Sequence, residues 1–163
     1  MNILAIDPGN IKSGWVVMDS DTFQPLLFDK SENEDLMNRL DNTCNEYRIK
    51  SAAIEMIACY GMAVGKSVFD TCIWIGKFTE RLECRGISID YILRKDEKIN
   101  LCGTMKAKDS NIRRALIDRF AKADLKNGKG TKKNPDWFYG FKADIWAAYA
   151  VGVTWLDQKR EEK

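Results

Sequence analysis

Near its beginning the chain reads Asn2-Ile3-Leu4-Ala5-Ile6-Asp7-Pro8-Gly9, an apolar run that ends on an acid immediately before a turn. The apolar residues predict a buried strand, and Pro8-Gly9-Asn10 predicts the turn that follows it. Two more apolar runs, Gly14–Met18 and Phe23–Phe28, come at short intervals after this turn. Three strands separated by short turns indicate an antiparallel meander.

After the third strand the spacing of apolar residues becomes helical. Leu36, Leu40 and Cys44 recur on one helical face, and Ser31 and Asn33 are candidate N-caps for that helix. The rest of the chain predicts, in order, a strand at 51–57, a helix at about 67–84, a strand at 87–93, a helix from 109 or 110 to about 123, and a helix from about 141 to 157. This order predicts an α/β fold with a mixed sheet.

Composition and charge describe one globular domain over residues 1–163 with a concentrated basic segment. Hydrophobic residues make up 45% of the chain and charged residues 31%, which is typical of globular proteins. Residues 1–60 carry five Lys or Arg against ten Asp or Glu, whereas residues 103–135 carry ten Lys or Arg against three Asp. The basic segment indicates contact with a polyanion, and the Lys- and Gly-rich stretch at about 126–140 reads as a flexible basic loop.

Several kinds of chemistry and location are disfavoured by the residue inventory. The chain contains no histidine, which excludes Ser-His-Asp triads, Cys-His pairs and imidazole zinc sites. Its five cysteines form no Cys-x-x-Cys pair, so we expect free thiols in a reducing compartment. The longest uncharged run, Ile145–Leu156, is shorter than a membrane helix, and no export signal precedes the first strand. We therefore expect a cytoplasmic protein without a membrane partner.

Three acids occur where the pattern predicts apolar surroundings. Asp7 ends the first strand, Glu55 interrupts the run Ala52–Ile57, and Asp144 lies beside the apolar stripe of the last helix. Burying an unpaired carboxylate costs several kcal/mol or forces it to take up a proton. A divalent cation shared by the three acids would explain all of them, and oxygen ligands favour Mg²⁺, with Mn²⁺ able to substitute.

The same residues resemble the RuvC-type Holliday-junction resolvases. The similarity covers Ile3–Gly9 with the following Ser13-Gly14-Trp15, then Ala53-Ile54-Glu55, and finally Lys142–Ala148. The segment 103–120 and the Lys-rich loop resemble the bacteriophage branch of that family, which would place the protein in the cytoplasm of a bacterial host. The resemblance implies an RNase H-like mixed five-stranded sheet with helices on both faces. It also implies a homodimer that cuts four-way DNA junctions, and possible cleavage of other branched DNA, by metal-dependent phosphodiester hydrolysis.

The resemblance also implies roles for individual residues. Asp7, Glu55 and Asp144 match three catalytic, metal-binding acids of the family, and Lys108 lies close to the region where the family keeps a lysine near the scissile phosphate. The fourth acidic position, one turn before the last acid, is Phe141, so we expect Asp136 to supply the fourth metal ligand. Further expected DNA contacts are Tyr60, which replaces an aromatic wedge, together with Lys66, Lys106, Arg113, Lys129, Lys132 and Lys133.

Three other functions are compatible with parts of the sequence. Gly61–Ser67 resembles a phosphate-binding loop of nucleoside triphosphatases, but Tyr60 stands where that motif needs its first glycine. Actin-like ATPases and sugar kinases also place an acid at the end of a first strand, but they require two such domains. A module that binds branched nucleic acid without cutting it is the main alternative, and Phe141 favours it. Metal-dependent cleavage of a synthetic junction would separate this module from a nuclease.

Overall fold

A five-stranded mixed sheet forms the centre of the protein in a computed structural model that describes residues 1–162. The strands are β1 (Asn2–Asp7), β2 (Lys12–Asp19), β3 (Pro25–Glu32), β4 (Ser51–Met56) and β5 (Ser88–Leu93). Their order across the sheet is β3-β2-β1-β4-β5. The first three strands pair antiparallel as a meander, whereas β4 and β5 extend the sheet in parallel with β1.

Helices cover both faces of this sheet. They are α1 (Asn33–Glu46), α2 (Lys66–Glu83), α3 (Arg94–Cys102), α4 (Asp109–Phe120) and α5 (Ile145–Glu161). Helices α1 and α2 pack on one face, and α4 and α5 pack on the other, with the end of α3 beside them. The predicted α/β fold, with a mixed five-stranded sheet and helices on both faces, is confirmed. Helix α3 was not predicted, because its sequence is mostly charged and has no apolar stripe.

The alternation of side chains along β1 divides the core into two layers. Leu4 and Ile6 are buried against α1 and α2, whereas Ile3 and Ala5 are buried in the layer that contains α5. Because successive side chains of a strand point to opposite faces, Asp7 follows Ile3 and Ala5 onto the α5 side. The same alternation in β4 puts Ala53, and therefore Glu55, on that side.

The last helix begins later than the sequence predicts. We expected it to start near Phe141, but α5 begins at Ile145, because Ala143 has a left-handed backbone with φ of 44° that interrupts a helical path. Phe141 is buried, and its ring contacts Phe28 and Trp146 at centroid distances of 4.6 and 5.2 Å. Phe141 is therefore a core residue and does not lie one helical turn before Asp144.

The Lys-rich segment is held by hydrogen bonds rather than being a flexible loop, which corrects that prediction. Asp124 accepts hydrogen bonds from the backbone N–H groups of Asn127, Lys129 and Gly130. An isolated bridge also joins Gly130 to Pro135. The lysines of this segment are thus mounted on a defined backbone.

Two other general features of the chain concern its cysteines and its helices. All five cysteines are free thiols, of which only Cys44 is buried. Within residues 1–162, the structure contains no helix with the length and apolar character that crossing a membrane requires. The single domain over residues 1–163 stays a prediction, and so does the cytoplasmic location.

Candidate active site

Two acids lie side by side where β1 and β4 end. The parallel register pairs Ile6 with Ile54, so Asp7 and Glu55 are the next residues on neighbouring strands. Both are half-buried, and both belong to the face that carries α5. Parallel pairing therefore brings two carboxylates together at one edge of the sheet, each preceded by an apolar strand that fixes its position.

Asp144 approaches the same edge because β2 carries a glycine there. Gly14 pairs with Asp7 across the β1–β2 ladder, and a Cβ atom at Gly14 would overlap the backbone carbonyl of Asp144. The missing side chain thus lets the start of α5 rest on β2 beside Asp7. Lys30, which pairs with Gly14 from β3, forms an ion pair of 2.7 Å with the Asp144 carboxylate.

A fourth acid, Glu97, reaches the cluster from α3 and was not identified in the sequence. Its side chain is fully buried, with 0% exposure. The Arg94 guanidinium donates a 2.6 Å hydrogen bond to Glu97 Oε2 and also contacts Asp109. Glu97 Oε1 has no hydrogen-bond partner. No local pattern distinguishes Glu97 from its neighbours in Arg94-Lys95-Asp96-Glu97-Lys98, so its burial could not be read from the sequence.

The electrostatics of the cluster oppose full ionisation of these acids. Burial, followed by the negative charge of Glu55, raises the pKa of Asp7 well above its usual range. Burial also raises the pKa of Glu55, although the positive charge of Arg94 acts in the opposite direction. The pKa of Glu97 is raised by burial and by the charge of Glu55, again against Arg94. The surroundings therefore favour the protonated forms of these acids, and a bound cation would favour the ionised forms instead.

The donor chemistry of this cluster fits a hard divalent cation. Its ligating atoms are all carboxylate oxygens, which suit Mg²⁺ and Mn²⁺, and the partnerless Glu97 Oε1 is a buried acceptor without a donor. Within the described part of the chain, however, no three or more His, Cys, Asp or Glu side chains are already placed so that they could hold a metal ion together. The Asp144 carboxylate is instead held by Lys30, so a cation would have to compete with that ion pair.

The turn after Asp7 is held by a buried hydrogen-bond network. Gly9 N–H donates to Ser13 Oγ at 3.1 Å, and the Ser13 hydroxyl donates to Asn33 Oδ1 at 2.6 Å. The Asn33 side-chain amide in turn donates to the Gly9 carbonyl at 2.9 Å. Asn33, expected only as a candidate helix cap, therefore ties the start of α1 to the turn that positions Asp7.

Asp136 is not placed as a metal ligand, which corrects that expectation. Its carboxylate accepts hydrogen bonds from the backbone N–H groups of Lys122, Ala123, Asp124 and Trp137. Burial alone would raise the pKa of Asp136, but these hydrogen bonds outweigh it and lower the pKa to about 2. We predicted that α4 would end near Ala123, but it ends at Phe120. The backbone N–H groups of Lys122 and Ala123 donate to the Asp136 carboxylate instead of continuing the helix.

A basic surface adjoins the acids. Arg113 lines a small cavity that also contacts Asp144 and Arg94, and it lines a second cavity together with Lys126 and Lys129. Lys106 and Lys108 are exposed immediately before α4, and Lys132 and Lys133 are exposed in the 126–140 segment. Arg113 therefore connects the carboxylates to the lysines that the sequence predicts as DNA contacts.

The loop between β4 and α2 presents the remaining predicted contacts to solvent. Tyr60 is 64% exposed, and Lys66 is exposed in the first turn of α2, where it pairs with Asp70 at 2.6 Å. The segment Gly61–Ser67, which resembles a phosphate-binding loop, is thus exposed, and its lysine forms an ion pair within α2. The roles of Tyr60 and Lys66 in binding DNA stay predictions.

Several solved structures with a similar fold are Holliday-junction resolvases. RuvC of T. thermophilus, in complex with a Holliday junction substrate, matches with a TM-score of 0.77 at 14% identity, over 99% of this chain and 96% of that chain. The yeast mitochondrial Holliday junction resolvase matches with a TM-score of 0.58 at 11% identity, over 98% and 80% of the two chains. The Fowlpox virus resolvase, in complex with Holliday junction DNA, has a TM-score of 0.53 at 13% identity, over 98% and 99%.

These similarities establish the fold at low sequence identity. No protein-family model matches the chain, and no curated protein matches it by sequence. The protein therefore has the RuvC-like, RNase H-like fold, while its activity has to be argued from its own residues.

The raised pKa of Asp7 predicts a pH-dependent effect of Asp7→Asn on the cation-free protein. An unfolded Asp ionises near pH 3.9, whereas folded Asp7 keeps its proton to a higher pH. The wild type therefore loses stability as the pH rises from about 4, by at most about 1.4 kcal/mol per pH unit for this proton. In urea denaturation with EDTA present, the free energy of unfolding of Asp7→Asn should increase relative to that of the wild type between pH 4 and 8.

Asp136→Asn is the matched control for this measurement, because the shift in its pKa has the opposite sign. Folded Asp136 stays ionised down to a pH of about 2, so its charge stabilises the protein at neutral pH and ceases to do so as the pH falls from about 4 to 2. The Asn variant should be less stable than the wild type at pH 7, with a deficit that shrinks in acid. Parallel pH profiles for the wild type and Asp7→Asn would contradict the assigned environment of Asp7.

Proposed function

We propose that this protein is a metal-dependent endonuclease that hydrolyses phosphodiester bonds in branched DNA, with four-way junctions as its main substrate. The observation that carries the proposal is the pair Asp7 and Glu55, which lie half-buried side by side near Asp144 and adjoin a basic surface. Buried acids that repel one another are retained where a cation and a substrate use them. The basic surface supplies affinity for the phosphate backbone.

Each part of the site has a task in this reaction. Mg²⁺ or Mn²⁺ would supply Lewis acidity toward a phosphoryl oxygen and toward the attacking water. Asp7, Glu55 and Asp144 would hold the cation, and Lys30 neutralises Asp144 while the cation is absent. Lys108, next to Asp109 at the rim of the cavity beside Asp144, would contact the scissile phosphate.

Branched DNA is supported as the substrate by two independent considerations. The T. thermophilus and Fowlpox virus proteins with this fold are bound to Holliday junctions. In this chain, Arg113 lies between the acidic site and a basic surface that includes Lys126 and Lys129. A DNA backbone running from the site toward the 126–140 segment would contact these cationic side chains. Tyr60 and Lys66 lie on the loop and helix that follow Glu55, where they would contact a second arm.

The alternative of a non-catalytic binding module loses its main argument. That alternative depended on an apolar ring at the position of a missing acid, but Phe141 is packed in the aromatic core. The number of acids at the site is also not reduced, because Glu97 joins the cluster from another helix. A complete set of carboxylates favours cleavage over binding alone.

We also propose that the protein is a homodimer of the bacteriophage branch of these resolvases, acting in the cytoplasm of a bacterial host. The resemblance of residues 103–120 and of the Lys-rich segment supports the branch. Phe69 and Ile73 are 58% and 57% exposed on α2, four residues apart and thus on one helical face. Met62, on the preceding loop, is 76% exposed. Covering this apolar face with a second copy would provide the two active sites that two opposed strands require.

Neutral replacements of the acids should separate cleavage from binding. We expect Asp7→Asn, Glu55→Gln and Asp144→Asn each to slow cleavage of a labelled four-way junction in Mg²⁺ by about 100-fold or more. Junction affinity in EDTA should remain close to that of the wild type, because the phosphate contacts are unchanged. Asp157→Asn is the control, since this acid pairs with Arg119 at the far end of α5. Wild-type cleavage by any one variant would remove that residue from the site.

Replacing Lys129, Lys132 and Lys133 together with Ala should weaken binding to all branched substrates alike. Removing one lysine–phosphate interaction should reduce the slope of log K against log salt by roughly 0.9 on duplex arms. Gel-shift titrations at four salt concentrations would measure the slope. Lys50→Ala is the control, because this exposed residue precedes β4 at the end opposite Glu55. An unchanged slope in the triple variant would show that these lysines do not contact DNA.

Charge placed on the exposed face of α2 should prevent dimer formation. The double variant Phe69→Glu, Ile73→Glu should shift the mass measured by light scattering from two chains to one, because desolvating two carboxylates per subunit opposes association. The fold should be retained, since both side chains face solvent in the single chain. Leu125→Glu, at a residue that is 65% exposed elsewhere, is the control. A wild type that is itself monomeric at micromolar concentration would contradict the dimer.

A further inference from the structure

Glu97 is buried in an incompletely satisfied environment. Among residues 1–162 it is the one Asp or Glu that is wholly buried. Its Oε2 atom accepts the hydrogen bond from Arg94, while Oε1 has no partner. A buried carboxylate oxygen without a partner is costly to maintain. Asp157, by contrast, engages both of its oxygens with Arg119, which donates to Oδ1 at 2.8 Å and to Oδ2 at 2.7 Å.

The position of α3 directs Glu97 toward the other acids. Glu55 pairs with Ile92 in β5, and α3 begins at Arg94, two residues later. Glu97 lies one helical turn from Arg94, close enough to Glu55 and Asp7 for its charge to act on both. Glu97 therefore belongs to the same cluster of acids, and its partner Arg94 lines the small cavity that Asp144 also lines.

The charges that face Glu97 leave the cluster negative. The acids are Asp7, Glu55, Glu97 and Asp144, with Asp109 at the rim, and the cationic groups are Arg94 and Lys30. Arg94 is shared between Glu97 and Asp109, and Lys30 is engaged by Asp144. No cationic side chain in the described residues pairs with Asp7 or Glu55 within 4.0 Å, as both are missing from the ion pairs of the structure. Once the acids are ionised, a bound cation would offset this charge.

We propose that Glu97 is a further ligand of the divalent cation. Arg94 fixes Oε2, which leaves Oε1 to coordinate the cation together with Asp7 and Glu55. Arg94 is then a positioning residue that orients the ligand without touching the cation. The inference rests on the proposed metal-dependent function. It assigns to Glu97 the place of a fourth acidic ligand, which the apolar Phe141 cannot fill and which Asp136, bound to backbone N–H groups, does not fill.

Mn²⁺ binding to the protein without DNA tests this inference. Calorimetric titration of EDTA-stripped protein should give a Kd for Glu97→Gln that is about 10-fold or more weaker than that of the wild type. Mn²⁺ should also raise the Tm of this variant less than it raises the Tm of the wild type. Because each protein is compared with itself with and without Mn²⁺, a difference in starting stability does not affect the result. Asp157→Asn, a control that also removes an arginine-paired acid, should keep the wild-type Kd. Wild-type Mn²⁺ binding by Glu97→Gln would overturn the inference.

Glu97→Asp provides a second test if the Gln variant does not fold. The shorter side chain keeps its charge but withdraws its oxygens, so Mn²⁺ binding should be weakened while the circular dichroism spectrum stays unchanged. An unaltered Kd in this variant would also overturn the inference. If the wild type neither binds Mn²⁺ nor cleaves junctions, both the proposed function and the inference are overturned. If the wild type does both and the Glu97 variants still bind Mn²⁺ normally, the inference alone is overturned.

Discussion

Parallel pairing between β1 and β4 forces two carboxylates into one buried place, and much of the remaining structure responds to that constraint. Asp7 and Glu55 end strands whose preceding residues are apolar and closely packed, so neither side chain can turn away to solvent without disturbing the core. Burial and the repulsion between the ionised carboxylates raise the pKa of both side chains, so the fold disfavours their joint ionisation. Arrangements of this kind persist when the rest of the structure determines them, which is typical of functional sites.

The surroundings of this pair limit the cost without removing it. Arg94 brings positive charge from α3, and Lys30 balances the acid at the start of α5. The hydrogen-bonded turn at Gly9 keeps the end of β1 in place. These features stabilise the geometry of the acids while leaving their charge incompletely neutralised. The strand ends are therefore fixed in place, but the Asp144 carboxylate would still have to leave Lys30 to join Asp7 and Glu55 around a cation.

The sequence predicts those parts of the site that depend on local pattern. Strand periodicity predicted the sheet, and acids interrupting apolar runs drew attention to Asp7 and Glu55. Glu97 was not predicted, because α3 is mostly charged and the burial of one of its acids arises from tertiary packing. The start of α5 was misplaced because the left-handed backbone at Ala143 is not indicated by its residue type. Asp136 was misassigned, since an acid in a polar loop gives no sign of whether it binds backbone N–H groups or a metal.

The two-residue period of β1 has a consequence for how this protein can change over generations. Substituting one apolar residue of β1 for another would leave Asp7 on its side of the sheet, so the composition of the strand is free to drift. Deleting one residue from this strand would instead turn Asp7 toward α1 and α2 and away from Glu55. Selection on the site should therefore act on the length of β1 more strictly than on the identity of its residues. Insertions should accumulate in the connections, far from the strand ends that carry the acids.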